Sequence, residues 1–375
     1  MASSTSGSPD AGTPDVLVAG AGPAGSATAT LLARAGFAVA AVDRSTFPRD
    51  KACSEYMGPE TVRMLARLGV LERLEAAGAV ALEGTEVTGA RGSRLRGVFA
   101  LAGHRPFRPT GLSVSRLVLD DLLVQAAREA GVTLLERTAV EELVYDRGAV
   151  GGAVVRASDG TRRTIRARLT VGADGLRSVV ARRLGGSRHG RPRRLAFVAH
   201  LDGVDGMRGS AELFVGRRGY VGLNPIGGGR TNVALVVPAA RASAARGRAE
   251  DFFLETLREF PAVHARVERA HIARRVMATG PFAASARAVT ADGAALVGDA
   301  AGFFDPFTGE GIFSALRGAE LLAEAAGDAL AAGGLVSHAA LASYRRGRRR
   351  AFAGQWAVER LIGYGMWSPR LFDRA

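Results

Sequence analysis

Three short runs of glycine and aspartate, far apart in the chain, are the residues that could do chemistry. Gly20-Ala21-Gly22-Pro23-Ala24-Gly25 stands near the start, Gly172-Ala173-Asp174-Gly175 in the middle and Gly298-Asp299-Ala300-Ala301-Gly302 near the end. Glycines at the first spacing let a backbone approach a pyrophosphate. Gly20 permits the tight turn, Gly22 removes the Cβ that would stand in the way, and Gly25 lets helix and strand pack closely. A helix opening at Pro23 and Ala24 then aims unpaired N–H groups at the anion. Asp43, at the end of the next strand, would accept hydrogen bonds from ribose hydroxyls. Arg44 beside it lies either against the pyrophosphate or in solvent. A helix-packing turn would account for the first run alone, but not for Asp43 and two later runs. A coenzyme held at its adenosine, its pyrophosphate and its ribityl chain by separate parts of the polymer is a long one, and FAD has that length.

The elements that must position these runs are legible around them. Residues 15–19 form a short apolar strand, 23–35 a helix closed by Gly36, and 37–42 a second buried strand. This is the strand–turn–helix–strand–acid order of a Rossmann unit. Residues 58–69 and 71–77 read as helices, and 115–130 as an amphipathic helix with Leu119, Leu122, Leu123 and Ala126 on one face. Strands follow over 131–135 and 139–144. Segments 150–157 and 164–171 bracket an Asp159-Gly160 turn as a hairpin, and 170–174 returns to the parallel sheet. From about 188 to 283 the segments 194–201, 210–215, 220–223 and 231–237 alternate with turns such as Gly227-Gly228-Gly229. They predict a mostly antiparallel sheet, with a helix over 250–260. A last buried strand over 294–298 and a helix over 311–332 close the pattern. The fold class is α/β: a Rossmann-type FAD-binding domain with an inserted, mostly antiparallel β substrate domain and a C-terminal helical tail. The boundaries expected are 1–14 as a disordered tail; 15–80, 111–185 and 284–335 as the FAD-binding domain; 81–110 and 186–283 as the substrate domain; and 336–375 as C-terminal helices.

Composition narrows the function classes. The chain has 375 residues and a formal net charge of +14, from 50 Lys+Arg against 36 Asp+Glu, and Lys51 is its only lysine. The arginines are scattered and no nucleic-acid motif accompanies them. The surplus therefore reads as the codon bias of a GC-rich genome, not as a nucleic-acid footprint. The exception is Arg345-Arg346-Gly347-Arg348-Arg349-Arg350, a basic helix start with an apolar continuation, which is either a solvated face or a contact for anionic membrane lipid or an anionic substrate. Cys53 is the only cysteine, so no internal disulfide and no cysteine metal site can form. The six histidines lack metal-ligand spacing. There is no G-x-S-x-G elbow and no P-loop. No apolar run is long enough to span a bilayer, and the start carries no export signal, so cytoplasm is the expected location.

Taken together, the three runs resemble the FAD-dependent aromatic hydroxylase superfamily, the p-hydroxybenzoate hydroxylase fold, over about residues 14 to 345. Ser115-Arg116-Leu117-Val118-Leu119-Asp120 is similar to the helix whose arginine reaches FAD in that family. By the same resemblance Val140 offers adenine a backbone contact, and Asp174 and Gly175, with Arg177-Ser178, belong to a motif linked to FAD and NAD(P)H. The run from Gly298 to Ile312, which contains Asp305-Pro306-Phe307-Thr308-Gly309-Glu310-Gly311, resembles the geranylgeranyl reductase branch and, less closely, flavin-dependent halogenases. Phe47-Pro48-Arg49-Asp50-Lys51-Ala52-Cys53 resembles the same branch, with Ser54 where glycine is usual. The aromatic sheet motif of prenyl reductases appears only as Tyr220-Val221-Gly222-Leu223-Asn224-Pro225, a loss that argues against a long isoprenoid substrate. The tryptophan pair of tryptophan halogenases is absent, which argues against halogenation.

Asp299 is expected to hold a ribityl hydroxyl, or to cap a helix, which is compatible with that role. Pro306, Gly309, Gly311 and Ile312 lead into a helix start whose N–H groups would face the pyrimidine edge of the flavin. Lys51 is expected near the coenzyme. Cys53, Tyr56, Tyr220 and Asn224 are the substrate-side candidates, with Cys53 as a buried thiol and Tyr220 as a satisfied sheet residue in the plainer reading. The resemblance implies an oxidoreductase acting on a hydrophobic small molecule, with NAD(P)H as electron donor. Its reaction is reduction of a carbon–carbon double bond or, alternatively, hydroxylation or epoxidation; a flavin-binding scaffold without turnover is the third possibility.

Overall fold

The computed structural model describes residues 12–365 apart from 102, 104 and 192, and only the backbone of residues 362–365. The expected disordered tail, up to residue 11, and the last ten residues of the C-terminal helices lie outside the described residues.

Strand Val16–Ala19 is the axis of the fold and is buried at all four positions, as a strand covered on both faces must be. It pairs in parallel with Val39–Val42 on one side and Leu169–Gly172 on the other. The six-stranded sheet runs Thr290–Ala291, Ala294–Leu296, Leu169–Gly172, Val16–Ala19, Val39–Val42, Thr133–Leu135, and only its first pair is antiparallel. Alternation sends Val16 and Val18 into a core built with helices Pro23–Arg34 and Gly311–Ala331. Leu17 and Ala19 face the other way, onto a three-stranded antiparallel sheet of Thr138–Asp146, Ala149–Ala157 and Arg162–Arg166.

The segment expected as one strand over 164–171 is two. Arg162–Arg166 is mostly exposed and completes the hairpin, whereas Leu169–Gly172 is wholly buried and joins the parallel sheet. The helix expected over 250–260 spans Ala249–Leu257, and Pro261–Val267 is a second helix. Phe260 precedes Pro261, a position from which helical backbone is disfavoured.

The second large sheet has seven strands in the order His271–Thr279, Arg194–Asp202, Arg230–Pro238, Gly219–Pro225, Ser210–Gly216, Gly84–Thr88, Arg94–Val98. All pairs are antiparallel except Ser210–Gly216 with Gly84–Thr88. One face packs Phe197, Val221, Leu235 and Val237 against helices Ala249–Leu257 and Pro261–Val267. The opposite face carries Ala196, Val198, Tyr220 and Val236 toward Ala52, Phe282, Phe303 and Phe307. A period of two thus gives this sheet one structural face and one face turned to the glycine and aspartate runs.

Candidate active site

The structure brings the three runs together. A Cβ on Gly20 would lie 2.5 Å from the Ala173 carbonyl oxygen and 2.9 Å from the Asp174 Cα, and one on Gly298 would lie 2.8 Å from the Ala24 Cβ. Gly25 is the tightest point, since its Cβ would fall 1.8 Å from the Gly20 carbonyl oxygen. Asp43 ends its strand beside this turn. Its Oδ2 accepts from the Ala21 N–H at 2.8 Å and its Oδ1 from the Ser45 N–H at 2.9 Å. It therefore braces the glycine loop, while each oxygen keeps a second lone pair. Arg44 points into solvent. The carboxylate of Asp174 accepts from the Ser178 hydroxyl at 2.5 Å and the Val179 N–H at 2.6 Å, which makes it a brace for helix Val179–Arg183. Burial pushes its pKa up against the pull of those donors.

Both helices that open at the runs are uncapped. Gly22 and Glu310, at the N-cap positions of Pro23–Arg34 and Gly311–Ala331, make no side-chain cap hydrogen bond. The first intrahelical bonds are Ser26 N–H to Gly22 O and Ser314 N–H to Glu310 O, which leaves the N–H groups before them without helical partners. Asp299 sits half-buried in a single turn over Gly298–Ala300 and, among the described residues, its carboxylate has no hydrogen bond to protein. Sequence reasoning ran the preceding strand to Gly298; the strand stops at Leu296.

Lys51 faces Asp299. Part of its side chain remains open, yet its ammonium lies deep enough that burial, with Arg116 and Arg49 nearby, lowers its pKa against the attraction of Asp299 and Asp120. A Cβ on Gly175 would stand 3.9 Å from its Nζ. Arg116 is buried and grips Asp120 through two bonds of 2.6 and 2.7 Å, and Arg49 approaches the same carboxylate at 3.3 Å. Burial works against the Arg116 charge, but Asp120 outweighs it and its pKa moves up; its guanidinium also reaches Cys53.

Cys53 belongs to a segment held from the seven-stranded sheet. Its carbonyl accepts from Asn232 at 2.7 Å, and the Ser54 carbonyl accepts from Asn224 at 3.0 Å. Asn224 also donates to Ser113 at 2.6 Å, so its amide is committed to holding backbone in place. Glu55 is fully buried with a positive φ of 60°. It accepts from the Arg116 N–H at 2.9 Å. Its second oxygen lies 2.9 Å from His200 Nε2, but off the direction of a ring N–H, so the contact is one of proximity rather than a directed bond. Tyr56 lies against the turn at Gly309, where a Cβ would come within 2.7 Å of its ring, and its hydroxyl is 3.3 Å from Thr85.

Tyr220 stands elsewhere than in an open substrate wall. Its buried hydroxyl donates to Asp305 Oδ1 at 2.7 Å, and its ring meets Phe307 edge-on at 5.1 Å. Asp305 also pairs with the buried Arg194 at 2.7 Å and accepts from the Phe307 N–H at 3.0 Å. This fixes the turn Pro306–Thr308, after which Gly309 adopts a φ of 70° and Ile312 is buried. Asp305, Arg194, Glu55 and Asp120 are residues that sequence reasoning did not single out as site residues. Only their contacts across the fold reveal them.

Behind the same turn lies the C-terminal helix Ala342–Gly365. Glu359 is buried and accepts from Gln355 at 2.9 Å and Thr308 at 3.3 Å. Burial, with the charges of Asp305 and Glu310 adding to it, pushes its carboxyl up to about 7 against those two donors. Burial also raises Glu310. Of the basic run, Arg345 bonds Thr290, Arg348 lies over Phe352 and Trp356, and Arg346, Arg349 and Arg350 are exposed. A shallow cavity of about 790 Å³ opens at Val140, between Glu141, Glu142, Arg156, Arg162, Arg182 and Arg183, apart from the Lys51–Asp299 cluster. Arg156, Arg162 and Arg183 are paired with Glu141 and Glu142, and Arg182 donates to the Arg177 carbonyl, so it is a surface depression and not the centre of the chemistry.

Two uncapped helix N-termini, a loop too tight for a Cβ, and a half-buried carboxylate without a hydrogen-bond partner among the described residues form the donor set of a long diphosphate coenzyme with a polyol chain. They fit FAD. The Gly20–Gly25 loop and helix Pro23–Arg34 would hold the pyrophosphate, Asp43 the ribose, Asp299 the ribityl chain, and helix Gly311–Ala331 the flavin edge. The fold and this donor set define an FAD-dependent oxidoreductase. The chain belongs to the family described as FAD binding domain, whose match runs over residues 13–359. It is 30% identical to digeranylgeranylglycerophospholipid reductase 1 of Methanococcoides burtonii over 358 residues, covering 93% of this chain and 82% of that protein. It is 31% identical to the menaquinone reductase of Mycolicibacterium smegmatis, covering 83% of this chain and 75% of that protein. Among solved structures, a myxobacterial chondrochloren halogenase, described as a variant of FAD-dependent halogenases, has the same fold with a TM-score of 0.88. It is 24% identical, over 95% of this chain and 85% of the other.

Proposed function

We propose that the protein reduces a carbon–carbon double bond in a hydrophobic small molecule, and that NADH or NADPH supplies the electrons. The observation that carries this reading is the wall at Gly309, where Tyr56 packs on the turn that opens the uncapped helix Gly311–Ala331. Phe303 and Phe307 extend the apolar surface beside it. The relatives at 30% and 31% identity, both named as reductases of lipophilic molecules, support the same direction.

FAD, when bound, supplies hydride chemistry. The chain's part is to orient and to hold charge. The N–H groups at Gly311 and Ile312 offer positive potential where a reduced ring carries negative charge. Lys51 lies close enough to Asp299 to be attracted by its charge, and the two would stand beside the coenzyme's hydroxyls. Tyr56 and the aromatic wall exclude water from the side where substrate lies. Cys53 is held by its carbonyl to Asn232 and is half-buried against the core of the first sheet.

Mass analysis of products from a lipophilic substrate panel tests the proposal. A product that gains two hydrogens supports it, and a product that gains oxygen overturns it. Anaerobic addition of NADH or NADPH tests the donor: the flavin absorbance should bleach, and persistence of colour with both would remove the nicotinamides as donors.

A further inference from the structure

Residues 89–110 contain Arg91, Arg94, Arg96, Arg105 and Arg108 and no aspartate or glutamate. Strand Arg94–Val98 is the outer edge of the seven-stranded sheet and is exposed at its first four positions. Arg96 is paired with Glu83 and Glu86, both at 3.4 Å, and Arg108 with Glu75 at 2.6 Å. Arg94 and Arg105 have no acidic partner among the described residues and lie open to solvent.

Between these charges stand large apolar side chains in water. Leu95 is 72% exposed, Leu101 82% and Phe107 51%. Arginines on an edge strand have a plain use, since they stop sheets from pairing edge to edge. That use explains Arg94 and Arg96. It leaves Leu95, Leu101 and Phe107 unexplained, because uncovered apolar groups make an edge more adhesive. A face that is apolar and cationic, with Glu83, Glu86 and Glu75 engaged by Arg96 and Arg108 and with Arg94 and Arg105 left over, matches one kind of surface: an anionic lipid layer, with phosphates for the arginines and acyl chains below them. The edge is also continuous with the site. Phe99, at the base of the segment, lies 6.4 Å from the Tyr56 ring, and Tyr56 packs on Gly309.

We propose that the exposed side chains of Arg94, Leu95, Leu101, Arg105 and Phe107 seat the protein on an anionic lipid surface. Leu95, Leu101 and Phe107 enter the interfacial layer while Arg94 and Arg105 meet phosphate. The docking does not depend on which reaction the site performs.

Sedimentation of the full-length FAD-loaded protein with lipid vesicles tests this without turnover. The vesicles are phosphatidylcholine alone, or phosphatidylcholine mixed with phosphatidylglycerol. The wild type should pellet with the mixed vesicles and not with phosphatidylcholine alone. The triple variant Leu95→Ser, Leu101→Ser, Phe107→Ser and the double variant Arg94→Gln, Arg105→Gln should each lose on the order of tenfold in partition, with flavin absorbance unchanged. Arg346→Gln, Arg349→Gln, Arg350→Gln on the C-terminal helix should retain wild-type partition. Failure of the wild type to bind mixed vesicles overturns the proposal. So does full binding by the serine variant, or an equal loss in the C-terminal variant, which would reduce the effect to net charge. A wild-type dimer without vesicles that the serine variant dissociates would make this edge an interface between copies and overturn it as well.

Discussion

Tyr220 and Asp305 meet at 2.7 Å across 85 residues of chain, with Arg194 on the other oxygen of the same carboxylate. The contact ties the second sheet to the turn that opens helix Gly311–Ala331. Asp305→Ala should cost about 3–5 kcal/mol, because it removes a close charge partner of a buried guanidinium. Tyr220→Phe should cost less, about 1.5–3 kcal/mol, since only one hydrogen bond to a charged group is lost. Urea titration of the two variants checks the order; equal midpoints would contradict it.

Gly22 and Gly25 should fail differently. A Cβ at Gly25 collides with backbone at 1.8 Å, whereas a Cβ at Gly22 meets only the mobile end of Arg49 at 3.1 Å. Gly25→Ala should therefore lower the unfolding midpoint. Gly22→Ala should keep a wild-type circular dichroism spectrum but purify with little flavin. Full flavin content in Gly22→Ala would show that no phosphate approaches this backbone.

Asp299 has no hydrogen bond to lose among the described residues, so Asp299→Ala should leave apoprotein stability within about 0.5 kcal/mol of wild type. Flavin affinity should fall on the order of tenfold or more, as one or two charge-assisted hydrogen bonds disappear. Fluorescence titration with FAD reads the affinity and urea titration the stability. Loss of stability without loss of affinity would make Asp299 a structural cap only.

Glu359 sets a pH dependence. Burial raises its carboxyl to about 7, with Asp305 and Glu310 facing it and Gln355 and Thr308 donating to it. A folded pKa above the unfolded one means that the folded state holds the proton more tightly. The stabilisation is complete below the ordinary glutamate value of 4.5 and is lost as pH rises through about 7. The span is on the order of 3 kcal/mol. Glu359→Gln keeps an acceptor and cannot ionise, so its unfolding midpoint should vary less between pH 5 and 8. An unchanged pH profile in this variant would assign the dependence to other groups.

Much of the first sheet was legible because parallel strands buried on both faces are short continuous apolar runs, as at Val16–Ala19 and Ala294–Leu296. The boundary at Ala167-Arg168 was not legible, since the hairpin strand and the buried strand are separated by only two residues. The glycine and aspartate runs could be read because their spacing is local. Asp305 could not be read as a sheet anchor, nor Glu55 as the brace of Arg116, because their partners Arg194, Tyr220 and His200 come from distant strands. Leu95, Leu101 and Phe107 look like core residues in a sequence; only their exposure in the folded chain sets them apart.

Thr308 bonds Glu359, and Ser314 bonds Gln355, 51 and 41 positions further on. A chain still emerging from the ribosome would reach the flavin-facing turn long before it makes these two struts. The flavin-facing turn thus gains these two struts only after helix Ala342–Gly365 has been made and has folded back onto it.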